Sequence, residues 1–211
     1  MNKLIYNAFR MNYEMVLATN NKHKLQEVRE ILSPCGIIVY CPRDLNMNVP
    51  EPVEDGKTYY ENALIKAKNL AKYTIFPVIA DDSGLEVEAM DNKPGIYSAR
   101  FASECGGHDK AIETILNNLK DKDNRRARFV CDIVLVNVED KPLRFEAIVD
   151  GEIAEKPEGQ GGFGYDPIFI SKEANKCFGL LEAKEKNIYS HRAKALKKLI
   201  TYLRINGLIK K

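Results

Sequence analysis

The chain moves back and forth between the two hydrophobic periods of folded proteins, near 2 for strands and 3.6 for helices. "YEMVLA", residues 13–18, is a short apolar run that predicts a buried strand, and "TNN" breaks it. In "HKLQEVREIL", Leu25, Val28 and Leu32 recur at helical spacing, and Ser33-Pro34 with Gly36 ends that helix. "IIVY", residues 37–40, predicts a second short strand. Residues 42–56 hold Pro42, Pro50, Pro52, Gly56 and several acids, and form a long loop of a kind that is often functional in a compact domain. Thr58 is a good N-cap with Glu61 three residues on, the pattern of a capping box. The helix it opens runs to about Tyr73, with Tyr60, Leu64, Ala67 and Ala71 on one face.

In "FPVIADDSGLEVEAM", residues 76–90, an apolar run stops at Asp81, Asp82, Ser83 and Gly84, and an alternating run follows. Asp, Ser and Gly are turn formers, so the local reading is two short strands bent around "DDSG". "NKPGIYSARFA" reads as a Pro-Gly loop and residues 109–120 as a helix. A long strand over 127–139, a "DK" hairpin tip and the return strand "LRFEAIVDGEIA" come next. The glycine-rich "PEGQGGFGYDP", residues 157–167, leads into the strand "IFI". A last helix from about Ser190 to Arg204 turns Ala195, Leu196, Leu199 and Leu203 inward. Strands and helices interleave, with at least one antiparallel hairpin, so the expected fold class is α/β on a mixed sheet.

Composition sharpens this only a little. With 211 residues, 45% of them apolar, the chain can bury a sizeable core and suits one domain. We place that domain at 13–211, behind an N-terminal extension of residues 1–12. The five cysteines are scattered and include no C-x-x-C pair, which argues against a disulfide framework or a zinc site. Cys131 sits in an apolar strand and reads as a small core residue. The first fifteen residues lack an uninterrupted apolar core of the signal-peptide kind. No apolar run approaches the ~20 residues that span a bilayer. The expectation is a soluble, cytoplasmic protein with no membrane partner. Net charge is +2, but Ser171–Lys211 carries eleven Lys/Arg against three Asp/Glu, a surplus of eight that leaves the rest at −6. Such a basic end can face phosphate, nucleic acid or plain water.

Several short stretches can carry chemistry, and each also has a plain structural reading. In "DDSG" two adjacent carboxylates repel unless a cation or proton intervenes. In a continuous strand they would point to opposite faces. "TNNKHK", Thr19, Asn20, Asn21, Lys22, His23 and Lys24, joins a strand to a helix as phosphate-binding turns do, yet it lacks the Walker pattern and can be an ordinary helix start. Asn20 and Asn21 readily enter left-handed backbone and can shape a tight turn there. Asn62 and Lys66 are four apart and share a helix face, either in a site or on a solvated stripe. Glu54 and Asp55 are metal ligands or ordinary loop acids. "GQGGFGYDP" can bring backbone close to a ligand, with Phe163 or Tyr165 free to stack on a flat ring. In "SHR", Ser190 reads as an N-cap, while His191 and Arg192 can donate to an anion or a base edge. "RRAR", residues 125–128, has no interleaved aromatics, so a dedicated nucleic-acid face is poorly supported.

The order of these stretches is more telling than any one of them. "VLATNNKHKLQEV", "GKTYYENALIKA", "PVIADDSGLEVEAM", "KPGIYSARFA", "GGFGYDPIF" and "SHRAKAL" together resemble the inosine triphosphate pyrophosphatase family, from about Met15 to Leu199. The resemblance implies an elongated, two-lobed α/β fold with a long central mixed sheet and a cleft between the lobes. It implies a homodimer and Mg²⁺-dependent release of pyrophosphate from non-standard purine nucleoside triphosphates (ITP, dITP, XTP). Carried over by residue, Thr19 to Lys24 match the turn that holds the triphosphate. Glu54 matches a metal-binding acid, and Asp82 the proton acceptor and metal-linked carboxylate. Ser83, Lys186, His191 and Arg192 match substrate contacts, and Phe163, Gly164, Tyr165 and Asp166 the base-side loop. Asn62, Lys66 and Asp81 look like supporting groups, the last two counted with Lys24 and Asp82 as catalytic. The family's turn usually reads T/S-G-N-x-G-K, and here Asn20 and His23 stand where glycines are common. Pyrophosphatases for other modified nucleotides, and a non-catalytic nucleotide- or nucleic-acid-binding module, are the competing readings.

Overall fold

In the computed structural model, which describes residues 12–210, the described residues open with a parallel unit. Strand β1 (Tyr13–Leu17) leads into helix α1 (Lys22–Leu32), and β2 (Ile37–Tyr40) returns beside β1 in parallel. The loop that follows reaches α2 (Tyr59–Ala71), and β3 (Val78–Val87) then pairs in parallel with the other edge of β1. A short β4 (Lys93–Pro94) pairs with the end of β3. Helices α3 (Ser98–Glu104) and α4 (His108–Asn118) precede the long hairpin of β5 (Arg126–Val136) and β6 (Leu143–Ile153). Strands β7 (Phe169–Ser171) and β8 (Lys176–Cys177) and helices α5 (Ala183–Tyr189) and α6 (His191–Ile205) complete the order. The proposed extension, residues 1–12, lies outside the described residues except for Asn12.

All eight strands of the described residues belong to one mixed sheet, ordered β2-β1-β3-β5-β6-β7-β8, with β4 on β3. It is parallel on the β1 side and antiparallel from β3 onward. The α/β class and mixed central sheet expected from the sequence are what is found.

β3 overturns the expected "DDSG" turn. Its ten residues run unbroken from Val78 to Val87 and pair one to one with β5, Asp82 opposite Asp132 and Gly84 opposite Val130. Local turn preference loses here to ten ladder pairings and to burial on both faces. Period-2 alternation sorts the strand. Val78 and Ala80 pack with Ala63, Ala67 and Leu70 of α2 on one face. Ile79 packs with Val28 and Leu32 of α1 and Leu196 and Leu199 of α6 on the other. Asp82 therefore follows the α2 face, and Asp81 and Ser83 the α1–α6 face. A third core, around Leu85, Val87, Ile112, Ile115, Phe129 and Phe169, joins α3 and α4 to the far half of the hairpin. Each such buried aliphatic side chain contributes roughly 1.5–3 kcal/mol relative to exposure.

The "KPGIYSARFA" stretch is likewise not a plain loop, because it holds α3. That helix has no side-chain N-cap bond, so it lacks the local signal that marks α2, where Thr58 Oγ1 accepts from Glu61 N at 3.1 Å. Instead the α3 start is fixed from outside. Ser98 Oγ donates to Gly95 O (2.7 Å) and accepts from Leu85 N (2.9 Å). Gly84 makes this approach possible, since a Cβ there would lie 2.2 Å from Gly95 O and 2.7 Å from Ser98 Oγ.

Gly84→Ala is therefore expected to cost about 2 kcal/mol, roughly 5 °C in Tm for a domain of this size. Thermal denaturation followed by circular dichroism checks it. A melting point unchanged to within about a degree would show that the β3–α3 contact has slack.

Candidate functional site

The parallel pairing of β1 with β3 ends at Leu17 opposite Ile79, and β4 rejoins β3 only at Glu86. Between these points one edge of β3 is free of strands among the described residues. A cavity of about 690 Å³ opens there, lined by Asp81, Asp82 and Ser83 together with Thr19, Lys24, Glu54, Lys66, Phe163, Lys186 and Arg192, among others. An open strand edge lets one cavity reach side chains from both faces of the sheet, so no bend between the two aspartates is needed.

On the α2 face, Asp82 Oδ1 meets Lys66 Nζ at 3.0 Å and its Oδ2 accepts from Asn62 Nδ2 at 3.3 Å. Alanines 63 and 67 are fully buried between α2 and the sheet, which brings that helix close enough for both contacts. Lys66 Nζ also lies 2.8 Å from Glu54 Oε2. Burial raises the Asp82 carboxyl above its ordinary pKa despite the opposing charge of Lys66. Burial alone would lower the Lys66 ammonium, but Asp82, Asp81 and Glu54 together raise it. Of the two loop acids, Glu54 lines the cavity and Asp55 does not.

On the opposite face, Asp81 Oδ2 lies 3.2 Å from Lys24 Nζ and accepts from Arg192 Nε (3.1 Å) and Nη2 (3.0 Å). Arg192 Nη2 also donates to Ser83 Oγ at 3.0 Å. Burial opposes ionisation of Asp81, but Lys24 and Arg192 hold its carboxyl well below the usual range. The remaining Asp81 Oδ1 is buried without a hydrogen-bond partner among the described residues. From Arg192 the network passes to Glu27, which also accepts from Lys186 Nζ at 2.6 Å, and Lys186 donates to Asp166 Oδ2 at 2.5 Å. Asp166 in turn accepts from Phe163 N at 2.8 Å and so ties the glycine-rich loop to the network. Tyr165 is anchored by its hydroxyl, which donates to Ser98 O at 2.8 Å.

The 19–24 turn is built by Asn21. Its side chain N-caps α1, accepting from His23 N (2.9 Å) and Lys24 N (3.1 Å), and its own N–H goes to Thr19 Oγ1 (3.1 Å). Asn20 is not among the described residues with positive φ, so the left-handed turn expected of it is not what shapes the chain; an Asx cap does the same work. Asn20 Nδ2 instead donates to Glu51 in the proline-rich loop. Thr19, Asn20, Asn21 and Lys24 line the cavity; Lys22 and His23 do not, because only one side of the first helical turn faces it.

His191 stacks on Phe129, ring centroids 4.5 Å apart and planes 9° apart, and its Nδ1 has no partner among the described residues. Burial, then the charges of Arg192 and Lys186, push its pKa well below the usual histidine range, so a neutral ring lines the cavity with one donor and one acceptor. Residues the sequence reading missed also belong here. Glu27 ties Lys186 to Arg192, and it sits three residues after Lys24 on the same face of α1, a spacing that points to it. Tyr97, just before α3, Arg100 of α3 and His108, the first residue of α4, also line the cavity; α3 carried no local signal, and His108 lies one residue before the helix expected over 109–120.

A model of the Ham1 family matches residues 15–202. The chain belongs to the Ham1 family. It is 44% identical over 192 residues to a dITP/XTP pyrophosphatase of Dictyoglomus thermophilum, covering 90% of this chain and 93% of that one. A dITP/XTP pyrophosphatase of Bacillus subtilis is 44% identical over 188 residues, 88% of this chain and 94% of the relative. A HAM1 protein from Coxiella burnetii superposes with a TM-score of 0.78 at 39% identity, over 90% of this chain and 98% of that one. The Staphylococcus aureus Ham1 protein gives 0.78 at 38%, over 92% and 99%. Among the described residues of this Ham1 chain no helix is long and apolar enough to cross a membrane.

The buried neutral His191 of this Ham1 chain predicts a pH dependence of stability. With its folded pKa lowered, its stabilising contribution is full above about pH 6.5 and is lost as pH falls, by up to about 1.4 kcal/mol per pH unit. Urea midpoints at pH 7.5, 6.5 and 5.5 should therefore fall more steeply for the wild type than for His191→Phe, which keeps the stack on Phe129. Parallel slopes would mean that the imidazole charges freely in the folded state.

Proposed function

We propose that this protein hydrolyses ITP, dITP and XTP to the nucleoside monophosphate and pyrophosphate. One observation carries the reading: a single cavity holds Lys24, Lys66, Lys186 and Arg192, two adjacent strand aspartates and the Phe163 ring, in a chain 44% identical to proteins named dITP/XTP pyrophosphatase. The lysines suit a triphosphate and the ring suits a flat base.

Lys24 and Lys66 take the phosphate oxygens, for which Asp81, Asp82 and Glu54 stand in as anionic partners here. Asp82 is the proton acceptor. Water oxygen bonds to the α-phosphorus, the bond from that phosphorus to the bridging oxygen breaks, pyrophosphate leaves, and the water's proton passes to Asp82. Burial favours this by making Asp82 a stronger base, while Asn62 and Lys66 fix its two oxygens. Arg192, His191 and backbone N–H groups of the Phe163 loop offer donors to a 6-keto group; adenine, with an amino group there, would leave those donors unpaired. Thr19, Asn20, Asn21, Ser83, Gly164, Tyr165 and Asp166 complete the substrate contacts, and Asp81 holds Lys24 and Arg192 in place.

Mg²⁺ fits these residues. Among the described residues no three His, Cys, Asp or Glu side chains form a metal cage, but Mg²⁺ needs only one or two carboxylates plus phosphate and water oxygens. Glu54 and Asp82 already share one cation, the Lys66 ammonium, and would hold the ion. When bound it offsets charge on the phosphate oxygens and the leaving pyrophosphate. Two copies of the chain form a homodimer in this reading, which analytical ultracentrifugation measures directly.

Pyrophosphate release from ITP, dITP, XTP, ATP and GTP with Mg²⁺ and with EDTA is the test. The keto purines other than GTP should turn over at least about 100-fold faster than ATP, EDTA should abolish turnover, and Asp82→Asn should lose roughly 10³-fold in kcat while melting cooperatively. Equal rates across the panel, or an active Asp82→Asn, would sink the assignment.

A further inference from the structure

His23 does not line the cavity that Lys24 faces. Its ring stacks on Phe163, centroids 5.2 Å apart and planes 13° apart, the offset-parallel geometry favoured by aromatic pairs. The partner ring sits at the apex of Gly162-Phe163-Gly164, where both glycines have positive φ, 69° and 66°. Only glycine adopts such backbone cheaply, and the freedom that permits the bend also leaves the apex weakly determined by its own chain. Its position depends on what holds the ring. Lys186 Nζ lies 4.8 Å and Arg192 Cζ 5.6 Å from the ring centroid, and Asp166 holds the Phe163 N–H. Among the described residues His23 is the aromatic partner of the ring, and it comes from the helix whose first turn presents Lys24.

We propose that His23 is a positioning residue for base recognition: by stacking on Phe163 it clamps the glycine-rich loop to the start of α1, so that the base-stacking ring is in place before the nucleotide arrives. This deepens the function proposed above and rests on it. The same contact couples the two ends of the ligand site, since α1 carries the phosphate turn and the clamped loop carries the base platform. It also gives His23 a role that needs its ring, not its charge. Removing the ring is expected to weaken a ligand with a base and to leave a ligand made only of phosphates unaffected.

The experiment compares wild type, His23→Ala and His23→Phe in three measurements. Binding of IMP and of inorganic tripolyphosphate is followed by calorimetry, ITP turnover by pyrophosphate release, and amide hydrogen exchange is read over residues 161–165. For His23→Ala, IMP affinity and kcat/KM for ITP should fall about three- to tenfold, mostly through KM, with tripolyphosphate affinity within twofold of wild type and faster exchange in the loop. His23→Phe should restore all three, and on a Phe163→Ala background His23→Ala should have no further effect. Equal loss of tripolyphosphate and IMP affinity would assign His23 to the phosphates and overturn the proposal. So would unchanged exchange in the loop, or tighter IMP binding by His23→Ala, which would make the imidazole a plug on the ring. Absence of ITP turnover in the wild type would instead count against the proposed reaction, while the exchange and IMP arms would still judge the clamp.

Discussion

A carboxylate buried inside a central strand is the constraint on which this architecture rests. Asp81 is 2% exposed in the middle of β3, where an uncompensated charge would cost several kcal/mol. It is held ionised by Arg192, from the first turn of α6, and by Lys24, from the first turn of α1. Those two helices are far apart in sequence and must converge on one point of one strand. Removing either cation would leave a buried charge, so the fold and the electrostatics of the cavity are the same problem solved once. Hydrophobic packing of α1 and α6 on Ile79 and Ile133 provides the driving force, and the Asp81 contacts set the register.

From Asp81 the charges alternate: Arg192, Glu27, Lys186, Asp166. Each interior member touches two groups of opposite sign, so none is left unpaired as the network runs from the central strand to the glycine-rich loop. Exposure then divides the cations. The side chains of Arg192 and Lys186 are 2% and 3% exposed, whereas Lys24 and Lys66 are 17% and 15% exposed at the cavity. Cations fixed on all sides suit the recognition of a rigid shape. In the proposed reaction, cations open to the cavity would turn to an incoming triphosphate at little cost. In the proposed reading, the base end and the phosphate end of the cavity differ in burial.

Much of this was legible in the sequence, and the misses have physical reasons. The hairpin, α1, α2 and α6 announce themselves by period and by caps, and Asn62 and Lys66 by their four-residue spacing. Asn21 shows how a role can be right and its mechanism wrong: the turn was placed correctly, but a side-chain cap makes it and not left-handed backbone. Helix α3 was missed because its start is fixed by Ser98 bonding across to Gly95 and Leu85, contacts between segments that no local pattern records. Glu27 was missed although its spacing from Lys24 was visible, because a glutamate on a helix face is ordinarily solvated and its partners lie more than 150 residues away.

"DDSG" was misread for a more general reason. Every residue in it favours a turn, yet the segment pairs with β5 at all four positions. What makes this tolerable is that polar groups replace the missing apolar contacts on both faces: Asn62 and Lys66 on one, Arg192 and Lys24 on the other. Turn-forming composition inside a strand is therefore informative when it is compensated in this way. A strand would bury two adjacent aspartates and a serine only where neighbouring helices supply donors, and the strand-free edge between Ile79 and Glu86 gives a ligand access to both sets at once. The violation of local propensity marks the site, and the location of the open edge says from which side it is reached.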